Sequence, residues 1–63
     1  MMLEAVWFKN GKEVYKVSPV MNIVSYDDMK SVSDIEVEDG NQWYSCEENG
    51  FDADDFVIRL KKD

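Results

Sequence analysis

Alternating apolar and polar positions divide the first seventeen residues into two short strands. Residues 3–8 and 13–17 are rich in strand-forming side chains, and Asn10-Gly11 lies between them. Asn-Gly tolerates the positive φ angles of a type I′ turn, so the pattern predicts a β-hairpin. Counting outward from the turn predicts the pairs Phe8–Glu13, Val6–Tyr15 and Glu4–Val17 on one face and Trp7–Val14 and Ala5–Lys16 on the other.

A second hairpin is predicted in the middle of the chain. Residues 35–38 alternate apolar and acidic, Asp39-Gly40-Asn41 marks a turn, and residues 42–47 return. A two-residue Gly40-Asn41 loop fixes the expected register. That register places Ile35 opposite Cys46 and Val37 opposite Tyr44 on the inner face, and leaves Trp43 outside beside Glu38.

The remaining segments predict shorter elements. Pro19 is expected to end the second strand, and residues 20–24 fit either a third strand or a loop. Residues 25–31 are typical of a helical turn capped by Ser25, and residues 52–55 of one capped by Asp52. A last strand covers residues 56–60, with Phe56, Ile58 and Leu60 facing inward.

These elements define the expected fold class. It is a β-rich α+β domain, a small antiparallel sheet of four or five strands with one or two short helical turns. The 63 residues, 7.4 kDa in mass, are expected to form a single compact domain over residues 1–63. A core of this size supplies only ~3–5 kcal/mol of stability, which favours a binding protein over an enzyme.

The charge of the chain is strongly negative and unevenly distributed. Fourteen acidic and seven basic residues, with no histidine, give a net charge of −7. Residues 22–58 contribute eleven acidic side chains and Lys30 alone as a base, a net charge of −10. Such a protein is repelled by nucleic acid and by anionic membranes. The acidic stretch fits either a solvated face or a surface that binds a basic protein.

The sequence offers few groups of residues that could catalyse a reaction or bind a metal. Cys46 has no second cysteine or histidine beside it for a zinc site or a nucleophile, and is expected in the core. A calcium loop starting at Asp52 is weak, because Val57 stands where such a loop needs glycine. Glutamate pairs such as Glu36 and Glu38 lack an enclosing cleft in so short a chain. The sequence therefore predicts no enzyme, no metal and no cofactor.

The expected location is the cytoplasm. A lone cysteine cannot form an internal disulfide, which favours a reducing compartment. No stretch of the sequence is typical of a signal peptide or of a membrane span.

Part of the chain resembles a known family of inhibitors. Asp39-Gly40-Asn41-Gln42-Trp43-Tyr44, followed by Gly50-Phe51 and then Asp55-Phe56, is similar to the central part of the small acidic phage inhibitors of uracil-DNA glycosylase. The similarity covers 18 residues, and the chain ends sooner after this region than in that family. The resemblance implies a DNA mimic of bacteriophage type, which acts in the host cytoplasm and blocks a host enzyme that acts on nucleic acid.

Two functional hypotheses follow. The first is a non-enzymatic inhibitor that mimics DNA and binds a basic, nucleic-acid-binding host protein. Its expected partner-binding residues are Asp34, Glu36, Glu38, Asp39, Trp43, Glu47, Glu48, Phe51, Asp52, Asp54 and Asp55. The alternative is a structural or assembly module, a homodimer formed through the two apolar faces of the first hairpin by Trp7 and Tyr15.

Overall fold

The computed structural model describes residues 2–25 and 32–62, which form two three-stranded antiparallel sheets. In chain order the elements are β1 (Leu3–Lys9), β2 (Lys12–Val17), β3 (Asn22–Val24), a 3-10 turn (Val32–Asp34), β4 (Glu36–Glu38), β5 (Trp43–Tyr44), α1 (Cys46–Asn49) and β6 (Asp55–Leu60). Sheet A has the strand order β2-β1-β6 and sheet B the order β3-β4-β5. The β-rich class is confirmed, although two small sheets replace the single sheet that we expected.

The first hairpin forms as predicted at its turn but not along its strands. Asn10 and Gly11 have φ angles of 54° and 80°, and Phe8 pairs with Glu13. A β-bulge then shifts the register by one residue, because Val14 is left unpaired. The other predicted pairs are therefore wrong. Instead, Trp7 pairs with Tyr15, Val6 with Lys16 and Ala5 with Val17.

The bulge determines which side chains of β2 face the core. A shift of one residue moves Tyr15 and Val17 onto the face of sheet A that bears Ala5 and Trp7. That face packs with Ile35, Val37, Cys46 and Ala53 to form the core. Trp7 lies at its centre with no exposed surface, and its ring contacts those of Tyr15, Phe51 and Phe56.

The second hairpin is confirmed over two residue pairs. Val37 pairs with Tyr44 and Glu38 with Trp43, the register expected from a two-residue loop. The predicted pairing of Ile35 with Cys46 is wrong, because the chain leaves the strand at Ser45 and Cys46 begins α1. Cys46 is nevertheless buried, as expected.

Two predictions for the last third of the chain need correction. Residues 51–54 form no helical turn, and Asp52 instead accepts a hydrogen bond from the next backbone N–H, that of Ala53. Strand β6 forms as predicted, yet Ile58 and Leu60 are 37% and 55% exposed. They lie on the inner side of sheet A beyond the core residues, so they are not covered as we expected.

The connection between the hairpins is partly described. Val17 ends β2, and a cis peptide joins Ser18 to Pro19. Strand β3 resolves the alternative left open for residues 20–24, because residues 22–24 pair with β4. The helical turn predicted for residues 25–31 lies outside the described residues from position 26 onward. Among the helices of the described residues, none is long and apolar enough to cross a membrane.

Candidate protein-interaction surface

Residues 32–55, here called the acidic segment, concentrate negative charge without any positive side chain. The segment contains nine carboxylates and neither lysine nor arginine. It includes the 3-10 turn, β4, β5, α1 and the first residue of β6. The nine are Asp34, Glu36, Glu38, Asp39, Glu47, Glu48, Asp52, Asp54 and Asp55.

The outer face of sheet B includes a row of three side chains, one from each strand. Glu38 lies between Asn22 of β3 and Trp43 of β5, which are its direct cross-strand partners. Asn22 Nδ2 donates to Glu38 Oε1 at 2.6 Å. The Trp43 side chain is 41% exposed. An exposed indole therefore lies beside a carboxylate that is held in place by hydrogen bonding.

The turn between β4 and β5 is organised by one carboxylate. Asp39 Oδ1 accepts from the backbone N–H groups of Asn41 and Gln42 at 2.8 and 3.0 Å, and Oδ2 accepts from the Tyr44 hydroxyl at 2.8 Å. These hydrogen bonds favour the ionised form and lower the pKa of Asp39 below its ordinary value. The negative charge at this turn is thus fixed in position.

Helix α1 places two further carboxylates beside the 3-10 turn. The Ser45 hydroxyl accepts from the Glu48 N–H at 3.1 Å, which caps the helix. Glu47 and Glu48 lie in the first turn, where the helix dipole favours negative charge, and both are exposed. The helix contacts the 3-10 turn, which ends at the exposed Asp34.

The connection from α1 to β6 brings acidic residues against the turn of the first hairpin. Asp52 Oδ2 forms an ion pair with Lys9 Nζ at 3.0 Å, and this pair lowers the pKa of Asp52. Asp54 Oδ2 accepts from the Asn10 N–H at 3.1 Å. Asp55 is exposed at the start of β6. Of the carboxylates in the segment other than Glu36, only Asp52 forms an ion pair with a described basic side chain.

The basic side chains of sheet A pair mainly with acidic residues outside the segment. Arg59 Nε donates to Glu4 at 2.6 Å, and Arg59 Nη2 donates to Glu13 at 2.7 Å. The guanidinium thus reaches from β6 across β1 to β2, on the face of Val6, which is fully buried. Lys16 Nζ lies 3.7 Å from Glu13. Arg59 is therefore occupied and does not neutralise the acidic segment.

The predicted aromatic contacts differ in exposure. Trp43 is on the surface, whereas Phe51 is half-buried and stacks on Tyr15 with ring centroids 4.7 Å apart. Trp7 has no exposed surface through which to contact a second copy, and Tyr15 is half-buried. Among the aromatic residues that we predicted to form an interface, Trp43 thus has the most exposed side chain.

The described residues offer few other candidate sites for binding or catalysis. No group of three carboxylate, cysteine or histidine side chains among residues 2–25 and 32–62 is arranged to hold a metal ion. Burial raises the pKa of the Cys46 thiol, which keeps it protonated. A groove of about 420 Å³ lies at the open end of sheet A, outside the acidic segment, and is lined by Glu4, Lys16, Arg59, Leu60, Lys61 and Lys62.

Comparison with known proteins gives no relative from which to transfer a function. No family model, no curated protein and no solved structure matches the chain.

Proposed function

We propose that this protein is a non-enzymatic inhibitor whose acidic segment mimics DNA and binds a basic, nucleic-acid-binding protein. The observation that carries the proposal is the run of nine carboxylates over residues 32–55 without one basic residue. Carboxylates held on turns and strands can take the places of phosphates in a basic groove, and their field speeds association.

The fold supports this reading through the way it pairs its own charges. Arg59 is engaged by Glu4 and Glu13, outside the segment, so that most of the described carboxylates between residues 32 and 55 keep their charge available. The Asp39 carboxylate is held at the turn beside Trp43 by three hydrogen bonds. An exposed indole beside such charges supplies the apolar anchor that protein interfaces commonly need.

Affinity capture tests the proposal. The purified chain is immobilised and exposed to bacterial lysate at about 0.05 M and about 0.5 M salt, with double-stranded DNA as competitor. We expect a nucleic-acid-binding protein to be retained at low salt and displaced both by DNA and by high salt. Retention that responds to neither, or no retained protein, would contradict the proposal.

A matched pair of variants assigns the binding to the acidic segment. E47Q/E48Q and D28N/D63N each remove two negative charges, inside and outside the segment respectively. We expect the first variant to weaken capture several-fold more than the second, because only the first removes carboxylates of the acidic segment. Equal losses would show that overall charge, and not this surface, determines binding.

A further inference from the structure

Among residues 2–25 and 32–62, no strand pairs with the outer edge of β6 in sheet A. Strand β6 is the outer strand of the order β2-β1-β6. Lys61 N donates to Met2 O at 2.8 Å, so the odd-numbered residues of β6 direct their backbone groups toward β1. Phe56, Ile58 and Leu60 therefore direct their N–H and C=O groups toward the free edge. The N–H of Phe56 is held there by Asp55 Oδ1 at 2.9 Å.

The same three residues place apolar side chains on the inner face of sheet A. Phe56 is half-buried, whereas Ile58 and Leu60 are 37% and 55% exposed. A free edge with exposed apolar side chains is a template for pairing with another strand.

The residues along this edge match themselves when the strand is reversed. Around Ile58, the sequence Asp54-Asp55-Phe56-Val57-Ile58-Arg59-Leu60-Lys61-Lys62 has two acidic residues at one end and two basic residues at the other. In an antiparallel pair of two copies, positions that sum to 116 are opposite each other. Asp55 then faces Lys61, Phe56 faces Leu60, Val57 faces Arg59, and Ile58 faces its own equivalent.

We propose that β6 pairs with β6 of a second copy of this chain in an antiparallel register centred on Ile58. This joins two copies of sheet A into one continuous six-stranded sheet around a twofold axis. The register directs the outward backbone groups of Phe56, Ile58 and Leu60 at one another. On pairing, the Phe56 N–H exchanges its bond to Asp55 Oδ1 for the Leu60 carbonyl of the second copy, which frees the Asp55 carboxylate to meet Lys61. It also covers Ile58 and Leu60, and it sets Asp55 against Lys61 twice by symmetry.

The other edge of sheet A is unsuited to such pairing. Strand β2 contains the bulge at Val14, and Lys12 and Lys16 on it are exposed. Bulges and edge lysines are features that protect sheet edges from pairing. β6 has neither a bulge nor a break in its register with β1, from Leu60 to Asp55. The inference needs no host protein, although Asp55 belongs both to the acidic segment and to the β6 edge.

Charge reversal at the two complementary positions tests the register. D55K places lysine against Lys61 of the second copy, and K61E places glutamate against Asp55. We expect each variant alone to raise the dimer dissociation constant about tenfold in sedimentation experiments. An equimolar mixture restores both attractive pairs, so it returns to the affinity of the unchanged chain. K12E, which changes the charge of the β2 edge as K61E changes that of β6, leaves dimerisation intact.

A cross-link gives a second readout that does not depend on affinity. Residues directly opposite in a hydrogen-bonded antiparallel pair have Cα atoms about 5.5 Å apart, within disulfide range. Mild oxidation of I58C is expected to yield a covalent dimer, whereas V14C, at an equally exposed site on the other edge, does not. A chain that stays monomeric throughout, a mixture that fails to restore dimerisation, or equal cross-linking of the two cysteine variants overturns the proposal.

Discussion

At the scale of single residues, Val14 determines the composition of the core. As the extra residue of the bulge, it directs Tyr15 and Val17 inward and Lys16 outward. Tyr15 then stacks on Phe51, and its ring centroid lies 6.1 Å from that of Trp7. The bulge thereby brings β2 into contact with Phe51, which lies beyond the end of α1.

Trp43 is the residue whose loss tests the apolar part of the proposed interface. Its indole is 41% exposed beside Glu38, so W43A removes contact area without opening the core. We expect affinity for the captured partner to fall at least about tenfold, as is typical of an aromatic anchor. Titration with the partner, followed by calorimetry or fluorescence, measures the change.

V14A is the matched control, because Val14 is also apolar and is 40% exposed on sheet A. It should leave the affinity within about twofold of the unchanged chain. If W43A and V14A bind equally well, Trp43 has no role in the interface.

At the scale of elements, the four-residue helix α1 depends on its ends. The Ser45 hydroxyl caps the Glu48 N–H, and Gly50 adopts a left-handed φ of 69° that closes the other end. We expect S45A to lower the free energy of unfolding by about 1 kcal/mol, the usual effect of losing an N-cap. Urea unfolding followed by tryptophan fluorescence measures it.

S18A serves as the comparison, since the Ser18 hydroxyl accepts one 3.3 Å bond from the exposed Lys61. Its effect should stay below about 0.5 kcal/mol. Similar losses for the two serine variants would mean that the cap does not stabilise α1.

The elements also show what the sequence could indicate. Asn10-Gly11 predicts the first turn because few residue pairs accept two positive φ angles, and Asp39-Gly40-Asn41 predicts the second. The bulge at Val14 was missed, since no residue type there requires it. The break at Ser45 was missed because Trp43, Tyr44 and Cys46 are all compatible with a continuing strand, and the cap becomes evident only with its partners.

For the whole molecule, charge pairing makes stability depend on pH. Hydrogen bonds from Arg59 lower the pKa of Glu13, backbone N–H groups lower that of Asp39, and Lys9 lowers that of Asp52. Carboxyls with a folded pKa below the unfolded value stabilise the fold above that value and lose this effect as pH falls. We therefore expect the urea midpoint to fall steadily below about pH 4.

D39N distinguishes the contribution of the turn carboxylate to acid sensitivity from that of the ion pairs, because the neutral amide does not titrate. Its midpoint at neutral pH should be lower than that of the unchanged chain, and its further decrease on acidification smaller. An identical pH profile for both chains would show that Asp39 does not contribute to the acid sensitivity.

The candidate surface was only partly predictable from sequence. The excess of acidic residues is evident from composition, and the outward position of Trp43 follows from the hairpin register. The sequence could not show that Phe51 packs into the core, or that Arg59 turns across the sheet toward Glu4 and Glu13. Both depend on contacts between segments more than thirty residues apart.

The central position of β1 also orders events during folding. Its first neighbour, β2, ends at Val17, whereas its second, β6, begins at Asp55. Pairing with β6 therefore closes a loop over residues 18–54, which costs more chain entropy than the tight turn to β2. Until that loop closes, β1 has one open edge next to its most apolar residues. The carboxylates of the intervening residues repel other copies in this interval, when open strand edges could adhere to one another.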